Sequence, residues 1–369
     1  MNTKVALLKC KDYDSELVYN KIKEAISLIF GNNQVFKKGE RILLKPNLLA
    51  PDPPEKATTT HPVIFESIAR ILLENDVKVY YGDSPAFHKL SKTAEITGIA
   101  DVAKKLNLIL ADFETRKKVI YKNAVQNKVF EIAKGVLEVD GIISLPKLKT
   151  HGLTLMTGAI KNQFGCIPGK IKAGFHAKLD DLEEFSQMLV DLTMFLRPRL
   201  YIMDAIYAME GNGPRRGHPV NLGVLLVSTD PVAIDAVASQ IIGLNPEEVM
   251  PTIKGFQSGL GNIENITILG EDIYKVGKKF ALPRYKGNYN LIPSPIRKIV
   301  KNYLFPRPII NYKKCIRCYE CYKICPTNPK SIKINENKLP EYNYKTCIRC
   351  YCCQETCPEG AITIKLKFL

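Results

Sequence analysis

Two stretches, CIRCYECYKICP at residues 315–326 and CIRCYCCQETCP at residues 347–358, decide how the last part of this chain folds. Each reads Cys-x2-Cys-x2-Cys-x3-Cys-Pro, through Cys315, Cys318, Cys321 and Cys325, then Cys347, Cys350, Cys353 and Cys357. Every one of these cysteines recurs after 32 residues, an internal repeat that predicts a pseudo-twofold unit. Three thiolates at i, i+3 and i+6 wrap one iron–sulfur cube in a tight loop, while the fourth, followed by proline, points away to the other cube. The expected sets are Cys315, Cys318, Cys321 and Cys357 on one [4Fe–4S] cluster, and Cys347, Cys350, Cys353 and Cys325 on a second. Structural zinc is the competing reading, but it takes two C-x-x-C pairs without a third cysteine at the same spacing and without Cys-Pro. Cys352 is an extra thiol, read first as a small buried side chain and otherwise as an alternative ligand or redox thiol.

Each repeat ends in a β-like run, Ser331–Ile334 and Ala361–Ile364, as in a small α+β bacterial ferredoxin-type domain over residues 309–369. Such a domain is too small for a self-sufficient core, so the clusters are expected to hold it together. Of eleven cysteines only Cys10 and Cys166 lie outside the last 55 residues, a clustering that favours metal in a reducing compartment over a disulfide framework. No apolar run reaches the length of a membrane span and the N-terminus lacks a signal-peptide pattern, so the expected location is cytoplasmic.

The net charge of +16 is uneven: residues 283–308 carry six basic and no acidic residues, and residues 309–369 carry eleven basic and five acidic. The remaining 282 residues hold only +4 of the charge. A basic surface of this kind favours an acidic redox partner such as a ferredoxin or flavodoxin. No recognised nucleic-acid motif supports the alternative of a nucleic-acid partner.

Residues 1–282 alternate strand-like and helix-like segments. Strands are expected at 5–8, 41–45, 77–81, 108–111, 141–145, 199–203, 223–227 and 266–269, and helices at 17–30, 62–74, 180–196 and 232–242. Such alternation predicts an α/β domain with a largely parallel sheet. Residues 283–308, with five prolines and the run Arg297-Lys298-Ile299-Val300-Lys301, read as a basic linker.

Open α/β sheets gather ligands at the carboxyl ends of their strands. Polar residues fall there repeatedly: Lys45-Pro46-Asn47, Gly82-Asp83-Ser84-Pro85, Pro146-Lys147-Leu148-Lys149-Thr150-His151, Asp204 and Ser228-Thr229-Asp230-Pro231. Several double as ordinary turn signals. The densest stretch runs from Leu145 to His176. Its lysines, Lys147, Lys149 and Lys161, are candidates to hold an anion, and His151 is a candidate proton donor near neutral pH. The plain alternative for this stretch is a glycine-rich surface loop with solvated lysines. Cys166 reads first as a buried small hydrophobe. Thr58-Thr59-Thr60-His61-Pro62 reads as a helix cap with proline at the start, whose amides also suit an anion. No P-loop occurs, and Gly211, Gly213 and Gly217 miss the dinucleotide spacing. A flavin, which needs no single short motif, stays open.

These motifs together, with Gly158-Ala159-Ile160-Lys161-Asn162 and Asp230-Pro231-Val232-Ala233-Ile234-Asp235, resemble the domain of unknown function 362 family in its form fused to a two-cluster ferredoxin. The resemblance covers almost the whole chain. It implies an iron–sulfur protein typical of anaerobic bacteria and archaea, and it names the architecture more firmly than the reaction. Two functions follow as expectations. In one, the chain is an iron–sulfur oxidoreductase in which Lys147, Lys149 and Lys161 bind an anionic small molecule and His151 supplies a proton. In the other, it is a non-catalytic electron relay that docks redox partners.

Overall fold

The computed structural model describes residues 3–85, 88–169, 171–179, 181–283 and 306–366. Most of the expected linker, with its basic run at 297–301, lies outside the described residues, as do Lys170 and Asp180.

The front domain carries strands β1 (Thr3–Lys9), β2 (Arg41–Pro46), β3 (Lys78–Tyr81), β4 (Ile109–Leu110), β5 (Arg116–Ile120), β6 (Val129–Ala133), β7 (Gly141–Leu145), β8 (Lys147–His151), β9 (Leu155–Thr157), β10 (Leu200–Asn212), β11 (Arg216–Ser228) and β12 (Ile266–Gly270). Its sheet runs β12-β1-β11-β10-β7-β2-β3-β4, with β8 and β9 branching from β10. Pairings are parallel from β10 through β7, β2 and β3 to β4, while β11 runs against both β1 and β10. The sheet is therefore largely parallel, as the alternation predicts, with β11 and the short β9 reversed.

Strand side chains alternate between faces. Ile42 and Leu44 join the core under the helices Ser15–Phe30 and Pro62–Glu74, while Leu43 between them joins the core of the opposite layer with helix Leu182–Leu196. Each fully buried Phe65, Ile68 or Leu72 contributes about 1.5–3 kcal/mol of burial. The helix starts are specified locally. Asp14 accepts from Leu17 N, Asp181 from Glu183 N, and Asp230 from Val232 N and Ala233 N. At Pro62 the cap is His61, whose Nδ1 accepts from Val63 N at 3.3 Å, in place of a threonine hydroxyl. Thr60 Oγ1 instead donates to Leu145 O (2.6 Å) and accepts from Asn47 N (2.8 Å), which ties this loop to the end of β7.

Three features differ from expectation. The charged run 116–120 forms a hairpin with β6. The Cα ladder of β10 and β11 extends to Asn212 and Arg216, so these two strands are much longer than their apolar centres suggest. The stretch after Pro146, read as a strand end opening into a loop, is itself the buried strand β8.

The C-terminal domain holds β13 (Arg307–Ile310), β14 (Ile332–Ile334), β15 (Pro340–Tyr342) and β16 (Ile362–Lys365), with helices Glu320–Ile324 and Cys352–Thr356. The expected β runs are β14 and β16. Each pairs with a strand from outside its own cysteine motif, β14 with β15 and β16 with β13. The chain has thus entered this domain by Arg307, just inside the expected linker.

Candidate iron–sulfur module and strand-end site

The two cysteine motifs fold around two small cavities. Cys315, Cys318 and Cys321 line the first together with Cys357. Cys347, Cys350 and Cys353 line the second together with Cys325, and Cys352 stands in the same wall. Each cavity thus gathers three cysteines of one motif and the fourth of the other. Among the described residues no three His, Cys, Asp or Glu side chains converge on a single-ion site; the thiols stand around voids.

The backbone repeats as well. Arg317 and Tyr319 take φ of 60° and 58°, and their counterparts 32 residues on, Arg349 and Tyr351, take 64° and 61°. Left-handed geometry at non-glycine residues costs about 1 kcal/mol or more each. Such loops gather N–H groups into concavities that bind anions, iron–sulfur clusters included. Donors also reach the thiols: Tyr342 Oη donates to Cys353 Sγ at 3.1 Å, and Ala361 N donates to Cys357 Sγ at 3.2 Å. Thiol-lined voids, paired left-handed residues and donors aimed at sulfur all fit a [4Fe–4S] cluster in each cavity.

The polar strand ends of the front domain converge, and each expected residue can be placed. On β8 the two-residue period puts Lys147, Lys149 and His151 on one face, and all are buried. Lys147 departs from its expected role. Its ammonium lies 2.8 Å from Asp204 Oδ2 and donates to Tyr13 Oη (2.8 Å), while Tyr13 donates to Asp204 Oδ1 (2.7 Å). Asp204 Oδ2 also accepts from His61 N (2.9 Å), and the His61 and Tyr13 rings stack at 3.5 Å. Its charge is neutralised within the fold and is not offered to an anion. Lys45 is similarly committed, to Asp83 Oδ1 at 2.8 Å and Asn162 Oδ1 at 3.1 Å.

Lys149 donates to Asn47 Oδ1 (2.7 Å) and Thr58 O (2.6 Å), leaving one donor when protonated. Burial, with Lys161 and Lys147 nearby, brings its ammonium down to about 7. Lys161, half-buried at the end of a short helix, is also lowered by burial, opposed by the negative charge of Glu355 and by Cys352. His151 Nδ1 accepts from Leu153 N (3.0 Å) and Thr154 N (3.3 Å), so the proton of the neutral ring sits on Nε2. That Nε2 is 3.3 Å from Glu355 Oε1, without a well-aligned hydrogen bond. Burial, then the charge of Lys161, pushes His151 down to about 4. The imidazole is therefore a neutral N–H donor at pH 7, in place of the expected proton donor titrating near neutrality. Burial raises the Glu355 carboxyl, but His151 and Lys161 outweigh it and bring the group down to about 2.

Cys166 is fully buried and its thiol is pushed up to about 12 by burial, so the plain reading of a core hydrophobe holds. His176 stacks on Phe185 at 4.5 Å and acts as a packing ring. Glu355, which faces His151 from the other domain, was invisible to sequence reasoning, because its meaning lies in a contact far along the chain. The hydroxyls of Thr58 and Thr59, in a stretch whose amides alone the sequence offered to an anion, are buried without a hydrogen-bond partner.

The molecule is thus an α/β domain fused to a ferredoxin-type iron–sulfur domain, with the second packed on the polar strand ends of the first. Residues 42–240 match the family described as "Domain of unknown function (DUF362)", and residues 307–358 match the 4Fe-4S dicluster domain. The chain belongs to the DUF362 family. It is 34% identical over 250 residues to the thylakoid-associated protein sll1697 of Synechocystis, across 68% of this chain and 77% of that one. Among solved structures it is similar to the lactate racemase apoprotein of Thermoanaerobacterium thermosaccharolyticum (TM-score 0.42, 12% identity, 65% of this chain) and to a Thermotoga maritima protein (TM-score 0.36, 9% identity, 61% of this chain). The chain spans 57% of the length of each of these two structures.

Proposed function

We propose that the chain is a ferredoxin-dependent iron–sulfur reductase whose strand-end compartment takes a small anionic molecule. Cys315, Cys318, Cys321 and Cys357 would hold one [4Fe–4S] cluster, and Cys347, Cys350, Cys353 and Cys325 the other. When bound, the clusters supply single electrons. The observation that carries this reading is the position of helix Cys352–Thr356. It holds Cys353 and at the same time sets Glu355 3.3 Å from His151, beside Lys161.

The protein's own groups then have distinct tasks. Lys161 makes no hydrogen bond or ion pair among the described residues and supplies the free positive charge. Lys149 offers one further donor, and His151 Nε2–H orients an acceptor. The orphaned Thr58 and Thr59 hydroxyls support a ligand here, since an unpartnered buried polar atom costs about 1–3 kcal/mol. The cysteine clustering supports a cytoplasmic, reducing setting.

The test is anaerobic purification with iron, sulfide and bound-cofactor analysis, then mass spectrometry of released small molecules. About eight irons and eight sulfides per chain are expected, with an anionic compound retained by the wild type and lost from Lys161→Met and His151→Gln. Equal retention by these variants would remove the site assignment, and a bound flavin would add a second redox group to it. The relay reading is favoured by the basic charge of residues 283–369. It predicts a complex with an acidic ferredoxin that weakens steeply with salt, and no bound small molecule.

A further inference from the structure

The C-terminal domain repeats its cysteines, and Arg317 and Arg349 with them, but not the lysine that follows the fourth cysteine of the first motif. In the first half, Lys330 Nζ donates to the carbonyls of Tyr322 (2.9 Å), Lys323 (2.8 Å) and Cys325 (3.2 Å). It thus closes the C-terminal end of helix Glu320–Ile324, where the backbone dipole favours a cation. It also places that cation on the peptide of the cysteine that crosses to the other motif's cavity.

The second half has no such lysine. The return from Cys357 to Ala361 is two residues shorter than that from Cys325 to Ser331, and Gly360 stands where Lys330 would. Gly360 has φ of 59°, and a Cβ built on it would lie 3.5 Å from Arg216 Cδ and Nε. Arg216 comes from the front domain, at the tip of the β10–β11 hairpin. Its Nη2 donates to the carbonyl of Cys357, while Arg215 Nη1 donates to the carbonyl of Thr356 at 3.3 Å. Thr356 and Cys357 correspond at the 32-residue spacing to Ile324 and Cys325. The tip is anchored by a two-pronged pair from Arg215 to Asp52, at 2.8 and 3.1 Å. Arg216 Nε is buried with no hydrogen-bond partner, a costly state for a charged donor unless an anion lies close by.

We propose that Arg216 is a potential-setting residue that the front domain supplies to the cluster held by Cys357, in the role that Lys330 fills for the cluster held by Cys325. The inference rests on the reading that both cavities hold clusters. A reduced cluster carries one more negative charge than the oxidised one, so a nearby cation favours reduction, and its loss lowers the midpoint. One cluster would then be tuned from within the C-terminal domain and the other by the docked front domain.

The experiment is an EPR-monitored reductive titration with dithionite of the full-length, iron-loaded chain, in which each cluster takes one electron. Arg216→Gln is expected to lower one of two midpoints by about tenfold in the reduction constant, about 59 mV, and to leave the other in place. Lys330→Gln is expected to lower the other midpoint alone, and Arg216→Lys to recover most of the first shift. Unchanged midpoints in fully loaded Arg216→Gln would overturn the proposal, as would an equal shift of both. If Arg216→Gln sheds iron, Arg216→Lys decides: full iron with a near-native midpoint supports the proposal, and iron loss there too overturns it. Absence of iron and sulfide from the wild type would instead sink the underlying cluster reading.

Discussion

The two domains solve the problem of a stable interior in opposite ways. The front domain buries three large aliphatic and aromatic clusters on the two faces of one sheet. The C-terminal domain buries a single small cluster in which cysteines stand beside Ile310, Ile324, Ile332 and Ile362. One core is hydrocarbon and stands without a guest; the other is half sulfur and gathered around voids. The difference teaches that stability of the second domain is a property of its ligand, and the sharpest way to break the comparison is to take the ligand away. Removal of iron by a chelator under reducing conditions is expected to abolish amide-exchange protection across residues 306–366 while the sheet of the front domain stays protected. Persistent protection of the C-terminal domain in the iron-free protein would show that its small core suffices.

The second comparison is between paired and unpaired lysines on one face of β8. Lys147 is bound to Asp204 in a fully buried ion pair, so Lys147→Met leaves a carboxylate stranded. A loss of about 3–5 kcal/mol in front-domain stability is expected, read by urea denaturation, with iron content unchanged. A loss near zero would mean that Asp204 is satisfied by Tyr13 and His61 alone and would restore Lys147 as a free cation.

Legibility in the sequence follows the same divide. The cysteine repeat is local, and each cavity gathers three cysteines of one motif and the fourth of the other. The parallel sheet was legible because Ile42–Leu44 and Ile142–Leu145 read as buried runs between amphipathic helices. The roles of individual polar residues were less so. Pro146 looked like the end of a strand, which hid the alternation that places Lys147, Lys149 and His151 together. Lys147 and Lys149 are alike in sequence, yet one meets Asp204 and the other meets Asn47, a distinction made only by the packing of β8 along β10. The largely exposed β5 opens with three cations and has only Val119 and Ile120 as apolar residues, so its hairpin escaped notice.

Lys149 provides a pH test of the unpaired class. Its folded ammonium loses its proton at about 7, against 10.5 for the ordinary side chain. Between these values the unfolded chain holds the proton and the folded chain does not, so stability rises with pH across that window. The rise is at most about 1.4 kcal/mol per pH unit. Denaturation of the wild type and of Lys149→Met at pH 7.5 and 9 is expected to show a larger gain in the wild type than in the variant, which keeps the other lowered lysines. Parallel curves would mean that Lys149 stays charged in the folded protein, and would strengthen it as an anion ligand.

The smallest expected effect tests whether the two domains share electrostatics at all. Glu355→Gln keeps the shape of the contact with His151 but removes its charge. The side chain keeps 23% of its surface exposed, so the stability change is expected to stay within about 1 kcal/mol. The consequence lies instead at Lys161, where the negative charge of Glu355 is the main influence opposing burial. Without that carboxylate the folded pKa of Lys161 falls further, its amine is neutral more of the time, and its nucleophilicity rises at a fixed pH. Acetylation at pH 8, mapped by mass spectrometry, is expected to label Lys161 several-fold faster in Glu355→Gln than in the wild type, with Lys147, shielded by Asp204, unchanged in both. Equal rates at Lys161 would mean that water screens the carboxylate from the compartment. The contact between the domains would then be one of shape, and the proposed electron path would lose a charged group of the C-terminal domain that faces the candidate site.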